Sequence, residues 1–272
     1  MIEPWSGTAL NQDPESPNEI HGDELAQQYG FKGGLVPGVT VSAYLLHPAV
    51  VAWGMDFLSR GSAHVRVSSP LYDGDRFSVA IVSRDGTSYQ AQLSGSDGNP
   101  CASAQAALPR DLPEPPQRRG DRIAPPDHVG PVASREVLEQ LMQRGCVAQR
   151  YHWGPPHLMR YYLRDEAQMP PLLAGEHAYA NMSFILGISN FMAASNVTMN
   201  PWVHLETRSQ NFRPLPHDTH IVAEMRVTDL FEKRGHEFFD AEVNLFDEAD
   251  DSCLTAIELR AIYRLRRAGS SA

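Results

Sequence analysis

His21 is the residue best suited to move a proton in this sequence. It stands in NEIHGDELAQQYG, residues 18–30. An imidazole exchanges its proton near working pH, so it can act as general base and general acid in turn. Asp23, two residues on, has two readings. It could orient the ring or serve as a second acid/base, or it could cap the short helix that ELAQQYG suggests. Ser16 and Asn18 could hold a water or a substrate, or stabilise the loop. A second element follows. GGLVPG at 33–38 leads into the apolar stretch 39–53, VTVSAYLLHPAVVAW. A helix starting there offers unpaired N–H groups and the positive end of its dipole, and Gly38, Val39 and Thr40 are the candidate donors. The other reading of GGLVPG is a turn that starts a buried helix.

Other chemistries lack their residues. Ser42 and Ser189 have no G-x-S-x-G context for a hydrolase elbow. No Gly-rich phosphate loop and no dinucleotide fingerprint occurs. His152 and His157 flank WGPP without HExxH or CxxC nearby, so no metal is expected. His47, inside the apolar stretch, reads as a core histidine. The cysteines Cys101, Cys146 and Cys253 are odd in number and widely spaced, which excludes a disulfide framework and a thiolate metal site.

The net charge of −10 argues against nucleic acid as a partner. The basic groups Arg118, Arg119, Arg122 and Arg264, Arg266, Arg267 read as a solvated linker and tail. Residues 1–11 carry no signal pattern and no apolar run reaches membrane-spanning length, so a reducing, cytoplasmic setting is expected.

Residues 109–131, PRDLPEPPQRRGDRIAPPDHVGP, cannot hold a regular helix or central strand and divide the chain. The expected units are 1–108, a linker at 109–131, and 132–272. In the first, a buried helix over 39–53, ended or kinked by Pro48, precedes strands near 62–69, 75–83, 87–94 and 100–108. In the second, a helix over 173–194 precedes strands near 202–212, 219–231, 237–247 and 253–265. Pro70-Leu71 and Pro214-Leu215 are 144 residues apart, and that offset also lays one helix on the other. This is an internal repeat of an α+β unit.

The segment 18–38 resembles the motif of MaoC-like hydratases/dehydratases. Asn18, Ile20, His21, Asp23, Ala26, Gly30, Phe31 and Gly38 fit it. The second half, from WVHLETRSQNFRPL to AIYRL, resembles the C-terminal repeat of bacterial double-hotdog proteins of this kind. The resemblance implies a tandem double hotdog, each unit a long helix wrapped by an antiparallel sheet. The sequence departs from the motif in places. Ser16 stands where the catalytic Asp falls, five residues before His21, with Asp13 nearby but off register. Glu19 replaces the usual Pro, and Pro37 the usual His before the helix-opening Gly. Asp165 occupies the position equivalent to His21 in the second repeat, so one site per chain is expected, on the first repeat.

The resemblance also implies a substrate: an acyl thioester of coenzyme A or of the phosphopantetheine of an acyl carrier protein, with no further cofactor and no metal. His21 and Asp23 would be catalytic. Ser16, Asn18 and the amides of Gly38, Val39 and Thr40 would bind substrate, the amides forming an oxyanion hole. Three functions are open: enoyl-thioester hydration or dehydration, thioester hydrolysis or conjugate-addition cyclisation in the same pocket, and non-catalytic acyl binding. Tyr44, Trp53, Phe184 and Phe191 are the candidates for shaping the pocket. The tandem units would form a pseudo-dimer, and a further homodimer is a natural extension.

Overall fold

The computed structural model describes residues 1–154 and 157–266, which leaves Arg267 outside. Two short helices, α1 (Asp23–Gln28) and α3 (Met55–Arg60), flank helix α2 (Gly38–Trp53), which is buried at every position from Val39 to Val50. A helix apolar on all sides has no face for solvent and must lie inside. Helix α5 (Met182–Asn196) is its counterpart and packs against it. The expected start of this helix at 173 is too early. Asn181 caps it, its side chain accepting from the Phe184 amide at 3.1 Å, and the preceding residues form short turns.

Among the described residues, ten strands make one sheet around the two long helices: β1 (Trp5–Thr8), β2 (Ser62–Val67), β3 (Arg76–Arg84), β4 (Ser88–Ser94), β5 (Pro100–Ala107), β6 (Gln149–Trp153), β7 (Val203–Asn211), β8 (Thr219–Lys233), β9 (His236–Asp247) and β10 (Cys253–Arg264). Their order is β1-β3-β4-β5-β2-β7-β10-β9-β8-β6, and every pairing is antiparallel. The two units join edge to edge through β2 and β7. There His64 pairs with Arg208, two residues related by the 144-residue repeat, so a pseudo-twofold axis runs through that pair. Joining this way hides one sheet edge of each unit within one chain. Residues from both units contribute to one hydrophobic core.

The repeat extends further than the sequence pattern suggested. Trp5 pairs with Val79 and Gln149 with Ala223, and both residues of the second pair lie 144 positions beyond the first. The short edge strands β1 and β6 are therefore equivalent. Helix α2 also continues past Pro48 rather than ending there. Proline cannot donate to the Tyr44 carbonyl four residues back, but Trp5 Nε1 does so instead, at 3.0 Å.

The segment 109–131 is less solvated than its composition suggests. Glu224, fully buried on β8, accepts from the backbone amides of Arg119 at 2.8 Å, Gly120 at 2.8 Å and Asp121 at 2.9 Å. A buried carboxylate needs such donors, and here the linker supplies them. Beyond it, Ser134 caps helix α4 (Arg135–Arg144), whose Leu138 faces the core. Among the described residues, no helix is long and apolar enough to cross a membrane.

Candidate functional site

His21 ends a single helical turn, Glu19–His21, just before the short helix α1 (Asp23–Gln28). Its Nδ1 lies 2.6 Å from the Leu35 carbonyl oxygen. A carbonyl only accepts, so Nδ1 carries the proton and Nε2 of the neutral ring holds the lone pair. The backbone is clasped as well. Asn11 Nδ2 donates to the His21 carbonyl at 3.0 Å, and the Leu35 amide donates to the Ile20 carbonyl at 3.1 Å. Gly34 makes this clasp possible: a methyl group there would lie 2.1 Å from the His21 carbonyl oxygen. Burial lowers the pKa of His21, while its bond to Leu35 and the nearby Asp13 carboxylate oppose that shift. The ring is thus held in its neutral, proton-accepting form.

The second unit contributes to the same place. Asn18 is buried and locked by Trp202, donating to its carbonyl at 3.0 Å and accepting from its amide at 3.1 Å. This fixes which way the carboxamide points and sets Nδ2 3.4 Å from His21 Nε2. Asn190 on α5 accepts through Oδ1 from His204 Nδ1 on β7 at 2.8 Å, and the other ring nitrogen of His204 meets Thr207 Oγ1. Burial pushes the His204 pKa down to about 4. With Oδ1 occupied, the amide end of Asn190 is the free end. Neither Asn190 nor His204 stood out in the sequence, because the two meet only where α5 packs on β7 in the folded second unit.

Two cavities meet at His21, Asn18, Asn190 and Trp202. The smaller, of about 230 Å³, is walled mainly by apolar side chains such as Ile20, Phe31, Val67, Leu71 and Ile262. The larger, of about 500 Å³, is bordered by Gln12, Asp13, Ser16, Met199 and Phe191 among others. The start of α2 stands between them, with Gly38 facing the first and Val39 the second. Among the described residues, neither the Gly38 nor the Val39 amide has an acceptor. Gly38 has a packing role too, since a methyl group there would come within 3.0 Å of the His204 ring.

Several expectations need correction. The Thr40 amide is not a free donor: it donates to the Pro37 carbonyl at 2.9 Å, closing the first turn, and Thr40 Oγ1 donates to Gln12 Oε1 at 2.5 Å. Asp23 does not orient His21. Its Oδ1 accepts from the Gly34 amide at 2.7 Å, which ties the glycine loop to α1, and the ring is held by Leu35 instead. Ser16 Oγ accepts from the Asn18 amide at 3.3 Å and borders the larger cavity. Of the four aromatic residues, Phe191 borders a cavity, whereas Tyr44 and Phe184 are fully buried in the core and Trp53 packs against it. His47 is the core residue its setting suggested, stacked on Trp5 and 2.9 Å from the Tyr162 hydroxyl. Asp13, off register in the motif, does face the larger cavity and acts on His21 through its charge. All three cysteines are buried, which raises the thiols to about 11, 11 and 12 for Cys101, Cys146 and Cys253 and leaves none as a nucleophile.

No protein-family model matches the sequence, and no curated protein matches it. Solved structures do match. A conserved hypothetical protein of Mycobacterium tuberculosis with a double hotdog fold superposes with a TM-score of 0.60 at 12% identity, over 96% of this chain and 95% of the other. The fold is the double hotdog. The same architecture occurs in a protein named as a MaoC domain dehydratase from Chloroflexus aurantiacus, with a TM-score of 0.52, 11% identity, and 98% and 96% of the two chains covered. It occurs too in one named as a thioesterase II from Thermobifida fusca, with a TM-score of 0.50, 15% identity, and 88% and 90% covered. Double hotdogs thus carry names from both chemistries, and the choice between them rests on the site.

Proposed function

We propose that the protein hydrates an enoyl thioester, or dehydrates the corresponding 3-hydroxyacyl thioester, with His21 moving the proton. The observation that carries this reading is the fixed tautomer. Leu35 holds the proton on Nδ1, so Nε2 is a base at the junction of two cavities, beside the start of α2. In hydration, His21 takes a proton from water as its oxygen adds to the β-carbon and returns that proton to the α-carbon, which regenerates the neutral ring. One water adds across one double bond and no redox partner is needed. Charge develops on the thioester oxygen, where the Gly38 and Val39 amides and the dipole of α2 stabilise it. The Asp13 carboxylate, which borders the larger cavity, sustains the basicity of His21 through its charge. Asn18 holds the attacking water against Nε2. The apolar cavity takes the acyl chain and the larger one the pantetheine arm of coenzyme A or a carrier protein.

The test is the loss of conjugated absorbance of crotonyl-CoA and longer 2-enoyl-CoA substrates with wild type and His21→Ala. Turnover that collapses in the variant supports the reading. Turnover indifferent to His21 removes it. Release of free thiol from saturated acyl-CoA, with no change in the enoyl band, would make hydrolysis the activity of the same pocket.

A further inference from the structure

A second cluster of reactive side chains lies on the outer surface of the second unit. His152 on β6 and His220 on β8 are directly paired across the two strands, their rings stacked 4.5 Å apart. Asp218, in the turn before β8, places Oδ1 2.7 Å from His152 Nε2. One ligand atom from each of the three residues lies within 4.8 Å of the others. Two imidazoles and one carboxylate form a donor set of borderline softness, suited to Zn²⁺ and its neighbours rather than to Mg²⁺ or Ca²⁺. We propose that His152, Asp218 and His220 bind one divalent transition-metal ion, with Zn²⁺ as the natural occupant.

Internal symmetry shows that the fold does not require these residues. Their counterparts in the first unit, 144 positions earlier, are Thr8, Gly74 and Arg76. The backbone there is nearly the same. The Gly74 amide donates to the Ala9 carbonyl at 3.0 Å, as the Asp218 amide donates to the Trp153 carbonyl at 2.8 Å. Both turns use a left-handed residue, with φ of 77° at Gly74 and 67° at Asp218. Glycine adopts that conformation freely, whereas aspartate does so against its own Cβ. The second unit therefore carries a carboxylate where the turn favours glycine, and it stands beside two histidines that the strand pairing does not need. The His152 ring is also given room: a methyl group at Gly154 would come within 2.8 Å of it. Three protein ligands leave at least one coordination position for water or an outside ligand. Such an ion would pin the edge strand β6 to the turn before β8.

The same comparison supplies the test. Untagged protein, stripped with chelator, is titrated with Zn²⁺ by calorimetry and with Co²⁺ by its visible absorption. One equivalent per chain is expected, with thermal stability raised by the bound metal. Asp218→Gly installs the residue of the first unit, so the apoprotein should melt at or above the wild-type temperature while binding is lost. His220→Ala should lose it too. Absence of saturable binding in the wild type, or binding unchanged in both variants, would overturn the site.

Discussion

The indole nitrogen of Trp5 donates to the carbonyl of Tyr44 at 3.0 Å, taking the place of the amide that Pro48 lacks. A residue of the edge strand β1 thereby repairs the central helix of its own unit. Replacing Trp5 with Phe should leave the Tyr44 carbonyl without a donor and cost about 1–3 kcal/mol. In a Pro48→Ala background the helix can supply its own donor, so the same substitution should cost less. A double-mutant cycle by chemical denaturation reads the difference. Equal costs in both backgrounds would mean that the indole acts through packing alone.

The pH dependence of turnover should carry the signature of a buried base. Burial lowers the pKa of His21, so the acid limb of kcat/KM is expected below the ordinary imidazole value of 6.5. The Asp13 carboxylate works in the opposite direction, favouring the charged ring. Asp13→Asn should therefore move the acid limb to still lower pH. A limb that moves upward in this variant would contradict the assigned electrostatics.

Gly34 sets the position of His21 without touching a cavity. A methyl group there would meet the His21 carbonyl oxygen at 2.1 Å, a contact that can be relieved only by moving backbone. A displacement of about 1 Å at a reacting group can cost on the order of 100-fold in rate. Gly34→Ala is expected to lower kcat/KM on that scale while the protein stays folded. Gly30→Ala provides the contrast. It strains a residue with φ of 86° but meets nothing nearby, so stability should fall by about 1 kcal/mol and turnover should hold. Similar losses of turnover in the two variants would show that general loosening of the loop, not the His21 contact, matters.

Much of this architecture is legible in the sequence, because the repeat announces itself in apolar runs and turns. The offset carries α2 onto α5 and β2 onto β7, and the long strands fall within one or two residues of their expected limits at most ends. Farther along, the strand starts drift from 143 residues apart for β3 and β8 to 153 for β5 and β10, because the second unit's strands are longer. The edge strands escaped notice because four or five residues are too few to show alternation. Within the site, His21 and the start of α2 could be read from one contiguous segment. Asn190 and His204 could not, since their partners lie across a strand and a helix. Asp23 misleads for a related reason: its neighbour in sequence is His21, but its neighbour in space is the Gly34 amide.

The anchored linker offers a test of a different kind. Glu224 holds three consecutive backbone amides of the segment 109–131, and Glu224→Ala would strand those donors as well as open a polar cavity. A loss of about 2–5 kcal/mol is expected, with new proteolytic cleavage concentrated in that segment. Unchanged protease resistance would mean that the remaining contacts of the linker suffice.

Two buried histidines should make the fold sensitive to acid. Burial pushes both His47 and His204 down from 6.5 to about 4. The unfolded chain takes up these protons first, so each ring contributes stability that is fully present above pH 6.5 and is lost as pH falls towards 4. A shift of that size corresponds to about 3 kcal/mol per ring. The wild-type unfolding free energy should therefore drop steeply across this window. His47→Gln can keep a hydrogen bond to the Tyr162 hydroxyl but has no proton to gain, so it should lower stability at pH 7 and flatten the descent. Denaturant melts at half-unit pH intervals would show this. A His47→Gln profile parallel to the wild type would mean that protonation of this ring is not linked to unfolding.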